Sequence, residues 1–87
     1  MARYLVCAVR DAAIKAFNTP MYFRTREEAI RSFGDAVRDS KNADFANHAS
    51  DYSMWYLGDW DDNGSLSPLS SPDCLIQAVD CLERISS

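Results

Sequence analysis

The sequence contains one histidine, three glycines and three prolines among 87 residues, and these shortages exclude several classes of function. Enzymes of acyl or phosphoryl transfer need a nucleophile beside a base or a glycine-rich phosphate loop, and the chain has neither motif. The histidine, His48, lies in a polar stretch, which is typical of a solvated loop residue. We therefore predict a protein without enzymatic activity, catalytic residues or a cofactor.

Cysteine is also scarce. The chain has three cysteines, an odd number, and no CxxC spacing among Cys7, Cys74 and Cys81. The sequence therefore predicts neither a disulfide framework nor a zinc site. A structural zinc site needs four ligands, and His48 is the only further soft ligand in the chain. We interpret the cysteines as small hydrophobic residues in a reducing compartment and predict no metal site.

Long hydrophobic runs are missing as well. No stretch approaches the ~20 apolar residues that span a membrane. The run Tyr4–Val9 near the N-terminus is too short for a signal peptide, and Arg10 and Asp11 end it. We expect one domain over residues 1–87, no membrane association, and a location in the cytoplasm of the cell that makes the protein.

Charge is distributed unevenly along the chain. The formal net charge is −4, but residues 1–41 carry +3 and residues 42–87 carry −7. A basic N-terminal half could bind anions despite the acidic total. The same separation favours self-association of unlike halves, so nucleic-acid binding and homo-oligomerisation both remain open.

Apolar runs and turn residues predict four strands. The expected strands are Arg3–Arg10, an irregular one within Ile14–Arg24 that resumes at Met21–Phe23, Ser53–Trp60, and Ser65–Leu69 with Pro68 at a sheet edge. An Asn-Gly pair, Asn63-Gly64, predicts a hairpin turn between the last two. Strict alternation in Ser53–Trp60 would place Trp55 and Leu57 on one face, and Met54, Tyr56 and Trp60 on the other.

Two helices are predicted. Thr25 and Glu28 form a capping box before an apolar face that runs from Ala29 to Val37. Residues 40–52 are expected to form a loop that Phe45 anchors. Ser71 is expected to cap a second helix, whose broad apolar face is a candidate dimer face formed by Leu75, Ile76, Val79 and Leu82. The order β-β-α-β-β-α predicts an α+β fold with a small antiparallel sheet and two helices on one face.

One acidic segment matches the first half of a calcium-binding loop. Residues 59–64 place acidic or amide side chains at positions one, three and five, followed by glycine. Position twelve is Ser70, where a calcium loop needs a bidentate glutamate, and the flanking residues predict strands rather than helices. We interpret the segment as an acidic hairpin.

A site for single-stranded nucleic acid would need basic side chains beside exposed aromatic rings. The basic candidates are Arg3, Arg10, Lys15, Arg24, Arg31, Arg38 and Lys41, and the aromatic candidates are Tyr22, Trp55, Tyr56 and Trp60. The competing interpretation is that helix-surface pairs with Glu27 and Asp35 occupy Arg31. Most aromatic residues of so small a domain are also needed for its core.

Two segments resemble a known family. Residues 20–33 combine a proline, two aromatic residues, Arg-Thr and Glu-Ala-Ile-Arg-Ser-Phe, and residues 51–64 combine Asp-Tyr, Leu-Gly-Asp-Trp-Asp-Asp and a turn glycine. In this order they resemble the small non-structural protein of the gokushovirus branch of microviruses. The resemblance covers roughly residues 3–69.

The resemblance implies a protein of small phages with circular single-stranded DNA genomes. It implies a non-structural protein that is absent from the virion and acts in the host cytoplasm during genome replication or packaging. The implied partners are single-stranded DNA or viral or host replication proteins, and the family supplies no agreed site residues.

Two hypotheses follow. The first is a DNA-binding or replication-protein-binding accessory protein, and the second is a homodimeric module that binds a host or viral protein without binding DNA. Exposed, contiguous Arg24, Arg31 and Arg38 would favour DNA, whereas pairing of these arginines with Glu27, Glu28 and Asp35 would favour the module.

Overall fold

The computed structural model describes residues 2–39, 41 and 43–83, and in that part of the chain five antiparallel strands form one sheet beside three helices. The predicted α+β class is confirmed. The elements are β1 (Arg3–Asp11), β2 (Ala16–Phe17), β3 (Met21–Phe23), α1 (Arg26–Arg38), α2 (Ala43–Asn47), a 3₁₀ turn (Ala49–Asp51), β4 (Tyr52–Asp61), β5 (Leu66–Gln77) and α3 (Ala78–Glu83). None of the described helices is long and apolar enough to cross a membrane.

The two longest pairings of the sheet join β1 to β4 and β4 to β5. The strand order is β2-β1-β4-β5, and β3 also pairs with β1. The short strands β2 and β3 are the two pieces of the irregular strand that the sequence predicts, separated at Asn18–Pro20. Strand β5 lies at the opposite edge, as Pro68 predicts.

The core fills the space between the sheet and the helices. Cys7 and Val9 of β1 face α1, where Phe33 and Val37 are nearly inaccessible to solvent. The buried cluster comprises Cys7, Val9, Phe23, Ala29, Phe33, Val37, Ala49, Met54, Ala78 and Cys81. The helices therefore pack on one face of the sheet, as predicted, and within residues 2–39, 41 and 43–83 no helix covers the other face.

Helix α1 begins at the predicted cap. Thr25 Oγ1 accepts a hydrogen bond from the Glu28 backbone N–H at 3.0 Å. Glu28 reaches back one residue further than a capping box requires, since its Oε1 accepts from the Arg24 N–H at 3.0 Å. Both bonds satisfy backbone donors at the start of the helix.

The segment after α1 is more ordered than predicted. It contains the five-residue helix α2 and the 3₁₀ turn. The Phe45 ring lies 5.9 Å from the Phe33 ring and 4.8 Å from the Tyr52 ring, so its predicted role as an anchor is confirmed. Helices this short are unstable alone, and contacts of Phe45 supply the tertiary support.

The acidic hairpin between β4 and β5 is confirmed. Gly64 has a φ of 96°, and the Gly64 N–H donates to the Asp61 carbonyl at 2.8 Å. Positive φ at Gly64 but not at Asn63 fits a three-residue loop rather than a two-residue turn. Asp61 Oδ1 accepts from the Asn63 N–H and Asn63 Oδ1 accepts from the Ser65 N–H, so these oxygens organise the turn.

The prediction of a second helix starting at Ser71 is wrong. Residues 71–77 continue β5, in which Cys74 pairs with Trp55 and Ile76 pairs with Met54, and α3 begins only at Ala78. The apolar segment is short enough to suit either structure, and pairing with β4 decides for the strand. Pro72 falls where the β4–β5 register is interrupted, which explains why a strand tolerates it.

The candidate dimer face is consequently divided between two elements. Leu75 and Ile76 lie in β5, whereas Val79 and Leu82 lie in α3. All four are partly buried and pack against the core of their own chain. Their apolar area therefore contributes to the fold of the single chain.

Candidate nucleic-acid interface

Strand β4 contains one residue more than the part of β1 that it faces. Val6 pairs with Gly58, and the next residue, Cys7, pairs with Tyr56, so Leu57 has no partner in β1. An extra residue of this kind is a β-bulge, and it reverses the inward–outward alternation beyond it.

The bulge brings both tryptophans to the same face of the sheet. Trp55 pairs with Ala8 and Trp60 pairs with Tyr4, and Ala8 and Tyr4 lie on one side of the regular strand β1. This side is opposite to the helices. The predicted grouping of Trp60 with Met54 is therefore wrong, because alternation counted without the bulge assigns Trp60 to the core side.

Five aromatic side chains lie on this uncovered side, which we call the aromatic face: Tyr4, Phe17, Tyr22, Trp55 and Trp60. The Trp60 ring lies 5.7 Å from Tyr4 and 5.9 Å from Tyr22, and the Phe17 ring lies 6.2 Å from Trp55. Tyr22 is 54% exposed and Phe17 is 39% exposed. The face thus presents rings to solvent that the core does not use.

A shallow depression lies at one end of the aromatic face. Tyr4, Tyr22 and Trp60 line it, and its volume is about 400 Å³. Beside it, the Arg24 guanidinium carbon lies 5.9 Å from the centre of the Tyr4 ring, within the range of a cation–π contact. A planar aromatic ligand could therefore stack here with a fixed positive charge nearby.

The other end of the aromatic face carries a second pair of rings. The Trp55 indole N–H donates to Ser53 Oγ at 2.7 Å, which fixes the orientation of the ring against Phe17. Arg10 pairs with Ser53 in β4 and with Phe17 in β2, so its side chain lies on the same side of the sheet. An arginine therefore again lies on the same side of the sheet as a pair of rings.

The acids of the strands lie on the helix side of the sheet. Each of the four strand acids pairs with a residue on the helix side of the neighbouring strand. The pairs are Asp11 with Tyr52, Asp59 with Leu5, Asp61 with Arg3, and Asp73 with Tyr56. Arg10 and Arg24 lie on the aromatic face. The carboxylate of Asp62, just beyond β4, accepts from the Ala2 N–H at 3.1 Å, two residues before Tyr4, so the positive character of this face is local to the two arginines.

The other predicted basic residues lie elsewhere. Arg31 and Arg38 project from α1 into a groove between α1 and α3. Arg38 forms an ion pair with Asp35 at 3.2 Å and donates to the Cys81 carbonyl at 3.4 Å, whereas among the described residues no ion pair reaches Arg31. Arg24, Arg31 and Arg38 therefore do not form one contiguous patch.

Three further basic candidates are exposed and scattered. Arg3 begins β1 opposite Asp61, and Lys15 occupies the turn before β2 with a φ of 55°. Lys41 follows α1, where its backbone N–H donates to Asp39 Oδ1. Of the predicted basic residues, the structure brings only Arg10 and Arg24 to the aromatic face.

The aromatic candidate Tyr56 lies on the helix side instead. Its hydroxyl donates to Asp59 Oδ1 at 2.6 Å, and this hydrogen bond raises the pKa of the Tyr56 hydroxyl. The Arg26 guanidinium carbon lies 5.1 Å from the Tyr56 ring centre, and Arg26 also pairs with Asp73 at 3.0 Å. Tyr56 therefore fastens α1 to the sheet and does not contribute to the aromatic face.

Sequence reasoning missed two members of the aromatic face. Tyr4 shares the alternation of Val6, Ala8 and Arg10, so the pattern within β1 contained a usable signal. Phe17 had no such signal, because its face depends on the two-residue strand β2.

Exposed aromatic rings with nearby guanidinium groups are the combination that binds single-stranded nucleic acids, because every base can stack on a ring and every phosphate can accept from arginine.

No curated protein and no solved structure showed a significant match to the chain. A family model described as "Phage ORF5 protein" matches residues 4–81, from β1 into α3. Because this match covers nearly the whole chain, the protein belongs to the Phage ORF5 family of phage proteins.

Proposed function

We propose that the protein is a non-enzymatic, non-structural accessory protein of gokushovirus-type microviruses that binds single-stranded DNA during genome replication or packaging. The observation that carries this proposal is the aromatic face, in which exposed rings adjoin Arg10 and Arg24 on an uncovered side of the sheet. Membership of a phage family and the resemblance of residues 20–64 support the viral context. The proposed location is the host cytoplasm, outside the virion.

Single-stranded DNA fits this face better than duplex DNA. Rings that lie on a sheet surface can stack only with unpaired bases. Duplex binding depends mainly on neutralising many phosphates, which a chain of net charge −4 does poorly.

Fluorescence anisotropy of a labelled 12-nucleotide strand tests the proposal. We expect binding at low salt, weaker binding of the corresponding duplex, and an affinity that falls as salt rises. Tyr22→Ala should weaken binding, whereas Tyr56→Phe, on the opposite side of the sheet, is the matched control and should not. No anisotropy change at low salt, or equal affinity for the duplex, would contradict single-strand binding.

A second candidate is a homodimeric module that binds a host or viral protein, such as a replication protein. Two observations favour it: Arg38 is engaged by Asp35, and the edge strand β5 exposes 64% of Leu66. Light scattering across a range of concentrations tests the homodimer. A monomer at all concentrations would exclude it.

A further inference from the structure

The aromatic face consists of two separate clusters, each with one arginine. The first station comprises Tyr4, Tyr22 and Trp60 with Arg24, and the second station comprises Phe17 and Trp55 with Arg10. Ring contacts link the members within each station. The two stations therefore repeat the same pairing of a stacking surface with a cation.

The distance between the stations follows from β1. Trp60 pairs with Tyr4 and Trp55 pairs with Ala8, four residues further along the same strand. At ~3.3 Å per residue the two pairs lie roughly 13 Å apart. At the ~3.4 Å rise of stacked bases this separation corresponds to about four steps of a single strand, and to fewer if the strand is extended.

Val6 lies between the stations on β1. Its partner in β4 is Gly58, which has no side chain, and its partner in β3 is Tyr22 of the first station. Val6 is itself buried. On the β4 side of β1, a strand that stacks on one station can therefore continue to the other without meeting a bulky side chain from Val6 or Gly58.

We propose that the aromatic face is a two-point site for one single strand of DNA, which runs along β1, stacks bases on both stations and places phosphates at Arg24 and Arg10. This inference rests on the proposed function and specifies its site. The two arginines of this face, and the placement of the strand acids on the other side of the sheet, favour a polyanion over an acidic or neutral peptide.

A length series of oligothymidylates measures the two-point requirement. A dinucleotide reaches only one station, so we expect a steep rise in affinity between two and about six nucleotides and a smaller gain thereafter. A six-nucleotide strand of abasic sites, which has the same phosphates but no bases, should bind much more weakly. Equal affinity of the abasic strand would overturn the stacking part of the inference.

The two tryptophans report on the stations separately. Trp55→Phe leaves Trp60 as the fluorophore of the first station, and Trp60→Phe leaves Trp55 as that of the second. Because one strand occupies both stations, a six-nucleotide strand should quench both signals with similar midpoints. Quenching of only one tryptophan would overturn the two-point site.

Truncation of the tryptophan in each station measures how much that station contributes to the binding affinity. Trp60→Ala and Trp55→Ala should each weaken binding about 5- to 150-fold, as for other base-stacking residues. Arg24→Gln should reduce the slope of log affinity against log salt by about 0.7. Circular dichroism shows whether each variant remains folded, and the milder Trp→Phe variants serve as controls if an alanine variant unfolds.

The outcomes separate the two proposals. If the wild-type protein binds no oligonucleotide at low salt, the proposed function itself fails. If it binds oligonucleotides but the tryptophan variants, the abasic strand and the length series show no effect, DNA binding stands and the two-point site fails.

Discussion

Gly58 lies where β4 and β5 approach closely, and a side chain has no room there. A Cβ atom at this position would lie 2.6 Å from the Ser67 carbonyl oxygen and 2.8 Å from Pro68 Cα, both of which are backbone atoms. Relief of such a clash requires the strands to separate. The residue therefore fixes the spacing of the sheet beside the bulge.

We expect Gly58→Ala to lower the free energy of unfolding by about 1–3 kcal/mol, as overpacking commonly does. Urea denaturation measures the change. Gly34→Ala is the matched control: its Cβ meets the flexible end of Arg38 at 3.0 Å, and alanine favours helix α1 over glycine by up to ~1 kcal/mol. A larger loss at Gly34 than at Gly58 would contradict the geometry.

The thiol of Cys7 makes the free energy of unfolding depend on pH in the alkaline range. Burial raises the pKa of its thiol from 9.0 to about 11. Between pH 9 and 11 the unfolded chain loses this proton while the folded chain keeps it, so rising pH favours unfolding. Below pH 9 the contribution of the thiol to stability is fully present.

We therefore expect the free energy of unfolding to fall between pH 9 and 11, and to fall less steeply in Cys7→Ala. Denaturation at several pH values in this window measures both slopes, and the variant separates the effect of this thiol from that of the rest of the chain. Parallel slopes for the two proteins would show that Cys7 is not responsible.

Helix α1 depends on one hydroxyl at its start. The Thr25 Oγ1 bond to the Glu28 N–H satisfies a donor that has no partner within the helix. We expect Thr25→Ala to cost about 1 kcal/mol of stability in urea denaturation. Thr25→Ser keeps the hydroxyl and should remain close to wild type, so an equal loss in both variants would contradict the capping role.

At the level of elements, the sequence correctly predicts the features that depend on interactions between residues close together in the chain. The apolar run of β1, the cap at Thr25 and the turn at Gly64 each act within a few residues, and all three are confirmed. The segment around Cys74 was wrongly predicted as a helix because its conformation is decided by pairing with β4, which is distant in sequence.

The candidate site shows the same limit. Arg24 and Trp60 were identified as candidates from their residue types, but their adjacency to one another through Tyr4 was not. The face that Trp60 occupies depends on the bulge at Leu57, and the adjacent Gly58 signals it ambiguously, because a glycine within a strand marks either a bulge or a close approach of two backbones. Residue types thus indicated the chemistry, whereas long-range strand pairing determined the site.

For the molecule as a whole, we expect the position of a charge to affect DNA binding more than the net charge does. Arg24→Glu and Arg31→Glu change the net charge equally, but Arg24 lies at the aromatic face and Arg31 lies on α1. We expect Arg24→Glu to weaken binding of single-stranded DNA more than tenfold and Arg31→Glu to weaken it only a few-fold, because screening reduces charge effects over longer distances. Anisotropy titrations at one salt concentration compare them, and equal losses would contradict a local site.

The extra residue at Leu57 also constrains how this family can vary. Deletion of Leu57 would leave Trp55 and Trp60 four residues apart, so simple alternation would keep both rings on the aromatic face without a bulge. A relative that lacks the extra residue could therefore keep its aromatic face with the aromatic residues in the same aligned positions, whereas a relative that retains the residue needs the bulge. In an alignment of related phages, a one-residue gap opposite Leu57 should therefore leave aromatic residues aligned with both Trp55 and Trp60.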